Sequence, residues 1–90
     1  PETFDVYINK KGIQVNKLVF VYSSLESFNI DEAKGKLYLE SKRLLSPHIS
    51  IPIPEEIDTE DLQDFLLEYL DLEDDLQESF FEEVMEYLGF

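Results

Sequence analysis

Residues 57–70, Ile-Asp-Thr-Glu-Asp-Leu-Gln-Asp-Phe-Leu-Leu-Glu-Tyr-Leu, constrain the fold more than any other stretch of this 90-residue chain. Leu62, Phe65, Leu66, Tyr69 and Leu70 recur at i, i+3, i+4, i+7 and i+8, which puts them in one stripe along an α-helix. The stretch carries its own start signal. Asp58 is a capping residue, Ile57 and Leu62 occupy the two positions of a hydrophobic staple, and Glu60 and Asp61 place charge in the first turn, where the helix dipole favours it. Burying five large side chains contributes on the order of 10 kcal/mol before ordering entropy is subtracted, so the stripe needs an apolar partner. The spacing predicts a helix over about 58–71 that lies on a sheet, with Leu66 deep in the core.

The first half of the chain supplies that sheet. Residues 4–9 alternate, with Phe4, Val6 and Ile8 on one face. Lys10-Lys11-Gly12 is a turn, and Ile13 and Val15 resume a short strand after it. Asn16-Lys17 turns again into Leu18-Val-Phe-Val-Tyr22, a run apolar on both faces that reads as a central strand. Residues 25–30 form a fourth strand with Phe28 and Ile30 on one face. Asp31-Glu-Ala-Lys-Gly35 is a hairpin loop, and residues 36–40 return with Leu37 and Leu39 inward. Residues 41–47 are a polar connector. Ile49, Ile51 and Ile53 then alternate inward in a segment whose Pro52 cannot donate to a ladder, the mark of an edge strand, and Pro54 ends it.

A second helix is expected over 75–88. Asp74 and Gln77 have the spacing of a capping box, and Gly89 suits a left-handed stop against which Phe90 packs back on Met85. Leu76, Phe80, Phe81, Val84, Met85 and Leu88 form its apolar side, and Glu78, Glu82, Glu83 and Glu86 the opposite one. Together the patterns predict a single α+β domain over 1–90. Its first part, 1–54, is a strongly bent antiparallel sheet of about six short strands, and its second, 55–90, is an acidic two-helix segment.

Charge divides the chain at the same place. The net charge is −14, yet all seven basic residues and only six of the 21 acidic ones lie in 1–54, leaving 15 acids and no base in 55–90. Hydrophobic residues make up 43%, enough for a folded core despite that charge. There is no cysteine, hence no disulfide framework or thiolate metal site, which fits a reducing compartment. No apolar run reaches the ~18 residues of a membrane span.

The residues of a catalytic centre are missing from the pattern. The single histidine, His48, falls on the outward side of the edge strand, where a solvated side chain is expected. No phosphate-binding glycine loop, nucleophile elbow or zinc spacing occurs. Asp71, Glu73, Asp75, Gln77, Ser79 and Glu82 match the ligand positions of a calcium loop, but Leu76 stands where such a loop needs glycine, so a helix–helix turn is the better reading. No cofactor is implied. The row Glu78, Glu82, Glu86 pairs like charges at i, i+4 and, with Glu83, opposes the helix dipole. It is either a solvated face or a surface for a basic protein partner. Lys10, Lys11 and Lys17 blunt sheet edges, and are also candidates for contact with acidic lipid headgroups.

The order of elements resembles a known family. The run Val21-Tyr-Ser-Ser-Leu-Glu-Ser-Phe-Asn-Ile30, the Leu-Tyr-Leu of 37–39, the Ile-Pro-Ile-Pro of 51–54 and the helix after Ile57 are similar to the bacterial pleckstrin-homology-like domains of small membrane-anchored proteins. The resemblance spans roughly residues 4–70. It implies a partly open barrel without enzymatic activity, on the cytoplasmic side of a membrane anchor encoded next to this segment. The acidic helix at 75–88 departs from that pattern and is where a specificity of this chain's own would lie. Two functions follow as expectations. One is a non-enzymatic interaction or scaffold domain that binds a basic protein and does not bind nucleic acid directly. The other is a small acidic inhibitor whose carboxylates mimic the phosphates of nucleic acid.

Overall fold

Two-residue turns give the first three strands their order. In the computed structural model, which describes residues 5–42 and 48–89, β1 (Val6–Asn9), β2 (Gly12–Val15) and β3 (Leu18–Val21) form an antiparallel three-stranded sheet in sequence order. The Asn9 side chain accepts from the Lys11 N–H at 2.9 Å within the first turn. Asn16, at φ 55°, accepts from the Asp5 N–H through Oδ1 at 3.0 Å and donates its own N–H to the Asp5 carbonyl at 2.8 Å. That is a use of the left-handed region for which asparagine is suited. Gly12 leaves no room for a side chain against β3: a Cβ built there would lie 2.3 Å from the Phe20 carbonyl oxygen.

A 3-10 turn at Tyr22–Ser24 separates this sheet from a second one, of order β6-β5-β4-β7, built from β4 (Leu25–Asp31), β5 (Lys36–Ser41), β6 (His48–Pro52) and β7 (Asp71–Leu72). β4, β5 and β6 are antiparallel, while β7 runs parallel to β4 at Ser27 and Phe28. A register shift between Leu25 and Ser27 turns Leu25 into the same core as Phe28, although a regular strand would point them apart. The architecture is thus α+β, with seven strands among the described residues, in two open sheets where one bent sheet of about six was expected.

α1 (Thr59–Leu66) begins as its sequence requires. The Asp58 carboxylate accepts from the N–H groups of Glu60 at 2.9 Å and Asp61 at 3.1 Å. Leu62, Leu66 and Leu70 are buried with Ile13, Leu25, Phe28, Leu37, Leu39 and Ile51 in one cluster, and Ile57 and Phe65 pack on its margin. Leu66 is fully inaccessible. The helix is shorter than expected because turns take over at residue 67 and lead into β7. β6 is an edge strand with Ile51 buried and Ile49 and Ile53 half-buried, as alternation and Pro52 implied.

Two further expectations about the strands fail. β3 is not central: it is the outer strand of its sheet, and Leu18, Val19 and Val21 are all exposed. His48 is not a solvated side chain. It pairs across the ladder with Glu40, its Nε2 lies 3.6 Å from that carboxylate, and its side chain is only 13% exposed. The expected contacts of Phe4 and Phe90 fall outside the described residues.

Tyr22 joins the two halves of the molecule. Its hydroxyl donates to the Asn9 carbonyl at 2.8 Å, and its ring stacks on Tyr69 with centroids 4.3 Å apart and planes 10° from parallel. Burial first, and the neighbouring Tyr69 second, push its pKa from 10.0 up to about 12. An acid whose folded-state pKa is raised stabilises the fold below its unfolded pKa and loses that contribution as pH climbs to the folded value. The denaturation midpoint should therefore fall between pH 10 and 12 more steeply for the parent than for Tyr22→Phe, which at neutral pH loses about 1 kcal/mol with its hydrogen bond. Parallel alkaline curves for the two proteins would contradict this role of Tyr22.

A candidate interaction surface on the C-terminal helix

α2 spans Leu76–Tyr87 and is anchored at its beginning. Leu76 is buried, and the Gln77 amide donates to the Asn29 side chain, a buried polar group of β4. Pairing that group offsets a desolvation cost of about 1–3 kcal/mol. This bond also explains why the expected capping box is absent: Gln77 is drawn to β4, and Asp75, at the cap position, makes no side-chain cap. Glu73 bridges into this start instead, with its N–H donating to the Phe28 carbonyl at 3.0 Å and its carboxylate accepting from the Asp75 N–H at 3.3 Å. At the other end Gly89 takes φ 84°, the left-handed stop expected there.

Beyond Gln77 most of the described apolar side chains of the helix lie in solvent. Phe81 is 63% and Leu88 60% exposed, with Val84 also exposed and Met85 half-buried. Phe81, Val84 and Leu88 follow i, i+3, i+7 and so line one stripe. The apolar side expected for this helix is therefore not a buried one along its length: among the described side chains of α2 only Leu76 is buried. Glu78, Glu82 and Glu86 are exposed as expected, and the side chain of Glu83, like that of Phe80, lies outside the described residues. A shallow depression of about 290 Å³ between the row and the stripe is lined by Gln77, Glu78, Phe81 and Glu82. This surface can accept apolar side chains flanked by cations. No periodicity distinguishes such a stripe from a core-facing one, because the spacing is the same whether the partner is in the chain or outside it.

The other candidates stand apart. Lys10 and Lys11 occupy one turn of the three-stranded sheet and Lys17 the turn at its opposite end, all exposed. A polar cleft of about 430 Å³ runs between β4 and the segment after α1, lined by Glu26, Ser27, Glu40, Lys42, Asp71 and Glu73 among others. Among the described residues its lining has no histidine or cysteine, and the Ser27 hydroxyl has no hydrogen-bond partner. Among the described residues no three histidine, cysteine, aspartate or glutamate side chains converge as metal ligands; Asp71, the first residue of the calcium-loop match, belongs to β7. Among the same residues no helix is long and apolar enough to cross a membrane. Comparison with known proteins finds no matching family model, curated protein or solved structure.

Proposed function

We propose that this chain is a non-enzymatic interaction domain of pleckstrin-homology-like type that binds a basic protein surface through α2. In this reading it works in the cytoplasm, held near a membrane by a segment outside this chain. The observation that carries the proposal is the apolar stripe Phe81, Val84, Leu88, exposed beside the row Glu78, Glu82, Glu86. Like charges at i, i+4 cost an isolated helix a few tenths of a kcal/mol per pair, and a basic partner turns that cost into attraction. The stripe supplies the desolvated contact that holds a complex once charge has brought it together. A mimic of nucleic acid accounts for the carboxylates but gives no use to large apolar side chains among them.

The test uses a synthetic amphipathic peptide of leucine and lysine, followed by backbone amide shifts of the protein. Shifts should centre on Phe81, Val84 and Leu88 and weaken as salt rises. The triple variant Glu78→Gln, Glu82→Gln, Glu86→Gln should keep its melting temperature or gain slightly, while its association rate falls about tenfold or more. An unchanged rate with an unchanged salt dependence would reduce the acidic row to a solvated face.

A further inference from the structure

A second apolar surface is open at the other end of the charge distribution. On the outer face of the three-stranded sheet, the cross-strand row Tyr7–Gln14–Val19 lies beside the row Asn9–Gly12–Val21. Tyr7 is 57%, Val19 59% and Val21 46% exposed. Lysines bracket this face, Lys10 and Lys11 at one turn and Lys17 at the other, and Asp5 is the only acid in residues 5–21. The face is therefore an apolar patch whose two turns carry three lysines, against Asp5 at the Lys17 end and Glu56 beside Tyr7, on a molecule whose other half has no positive charge.

We propose that this face receives α2 of a second copy of the chain, each copy giving its helix to the other's sheet. The inference rests on the reading of α2 above and names its basic partner. Charge selects the occupant: an acidic row meets a lysine rim, and apolar stripe meets apolar sheet. The lengths agree. The two lysine turns are separated by a four-residue strand, about 13 Å. Glu78 and Glu86 are eight residues apart on a helix, about 12 Å. A helix laid on a sheet is also how this chain already buries α1. α2 cannot satisfy its own sheet, because Leu76 and the Gln77–Asn29 bond hold it at β4 while both surfaces stay exposed. Reciprocal exchange closes the pair with two-fold symmetry, uses each surface twice and leaves no open end from which a filament could grow.

Charge reversal tests this on the whole chain by sedimentation at near-physiological salt. The parent should form a concentration-dependent dimer. Lys10→Glu with Lys11→Glu and Lys17→Glu should be monomeric, and so should Glu78→Lys with Glu82→Lys and Glu86→Lys. An equimolar mixture of the two should dimerise again, since each reversed rim then meets its opposite. All six positions are exposed, so each variant should fold, and circular dichroism is the check. A monomeric parent, or a mixture of folded variants that stays monomeric, overturns the proposal. So does a monomer that binds phosphatidylserine vesicles and loses them on lysine reversal, since the sheet's partner is then a lipid surface. A monomeric parent that still takes the leucine–lysine peptide on α2 overturns only this inference; one that does neither overturns the reading of α2 as well.

Discussion

Replacing Leu66 by aspartate should abolish cooperative unfolding. Leu66 is fully inaccessible at the centre of the cluster that joins α1 to both sheets. The substitution removes a buried leucine, worth about 2–5 kcal/mol when truncated to alanine, and places a carboxylate in a cluster of apolar side chains, at a further cost of several kcal/mol. A 90-residue domain has about 5–13 kcal/mol of stability in all. The variant should show a broad, non-sigmoidal urea transition and collapsed amide shift dispersion, whereas Leu66→Ala should remain folded with a lowered midpoint. A Leu66→Asp protein with a sharp transition near that of the parent would displace α1 from the core.

Gly12→Ala should be the next most damaging of the changes considered, though it removes no contact. The added methyl group would stand 2.3 Å from the Phe20 carbonyl oxygen and 3.1 Å from the Val21 Cα, all backbone atoms that cannot rotate aside, at a residue with φ +155°. β2 and β3 must separate or the turn must rebuild. The expected loss is about 2–4 kcal/mol, within the range of strained backbone positions. Urea denaturation should give a lowered midpoint at unchanged slope, with amide shift changes confined to the first three strands. Parent-like stability would mean that β2 and β3 do not approach as closely as the Gly12 geometry requires.

How much of this was legible in the sequence depends on the distance over which each feature is decided. α1 was readable because its cap, staple and stripe all lie within residues 57–70, and Asp58, Leu62 and Leu66 behave as their spacing requires. The inward alternation of Leu37, Leu39 and Ile51 was readable for the same local reason. β3 was misplaced because an apolar run on both faces marks a strand with two apolar neighbourhoods and does not say whether the chain supplies both. The capping box of α2 was not found because Gln77 could serve its own helix or Asn29, and only the fold brings Asn29 near. β7 left no signal: two residues have no periodicity, and their pairing with Ser27 and Phe28 exists only once α1 has returned the chain to β4. On the interaction surface, the glutamates were found by composition and spacing. The exposure of Phe81 and Leu88 depends on where α2 is anchored and could not be read.

The short parallel strand β7 has a consequence for how this protein can change. It divides the acidic half into a piece whose apolar residues are committed to the core, through Leu62, Leu66 and Leu70, and a piece that, among the described side chains, is held to the body through Leu76 and Gln77. Substitutions before the strand are tested against stability, while those on the exposed positions of α2 are tested against whatever the helix meets. Binding preference can therefore drift, or be redesigned, along one face of twelve residues without renegotiating the fold that carries it.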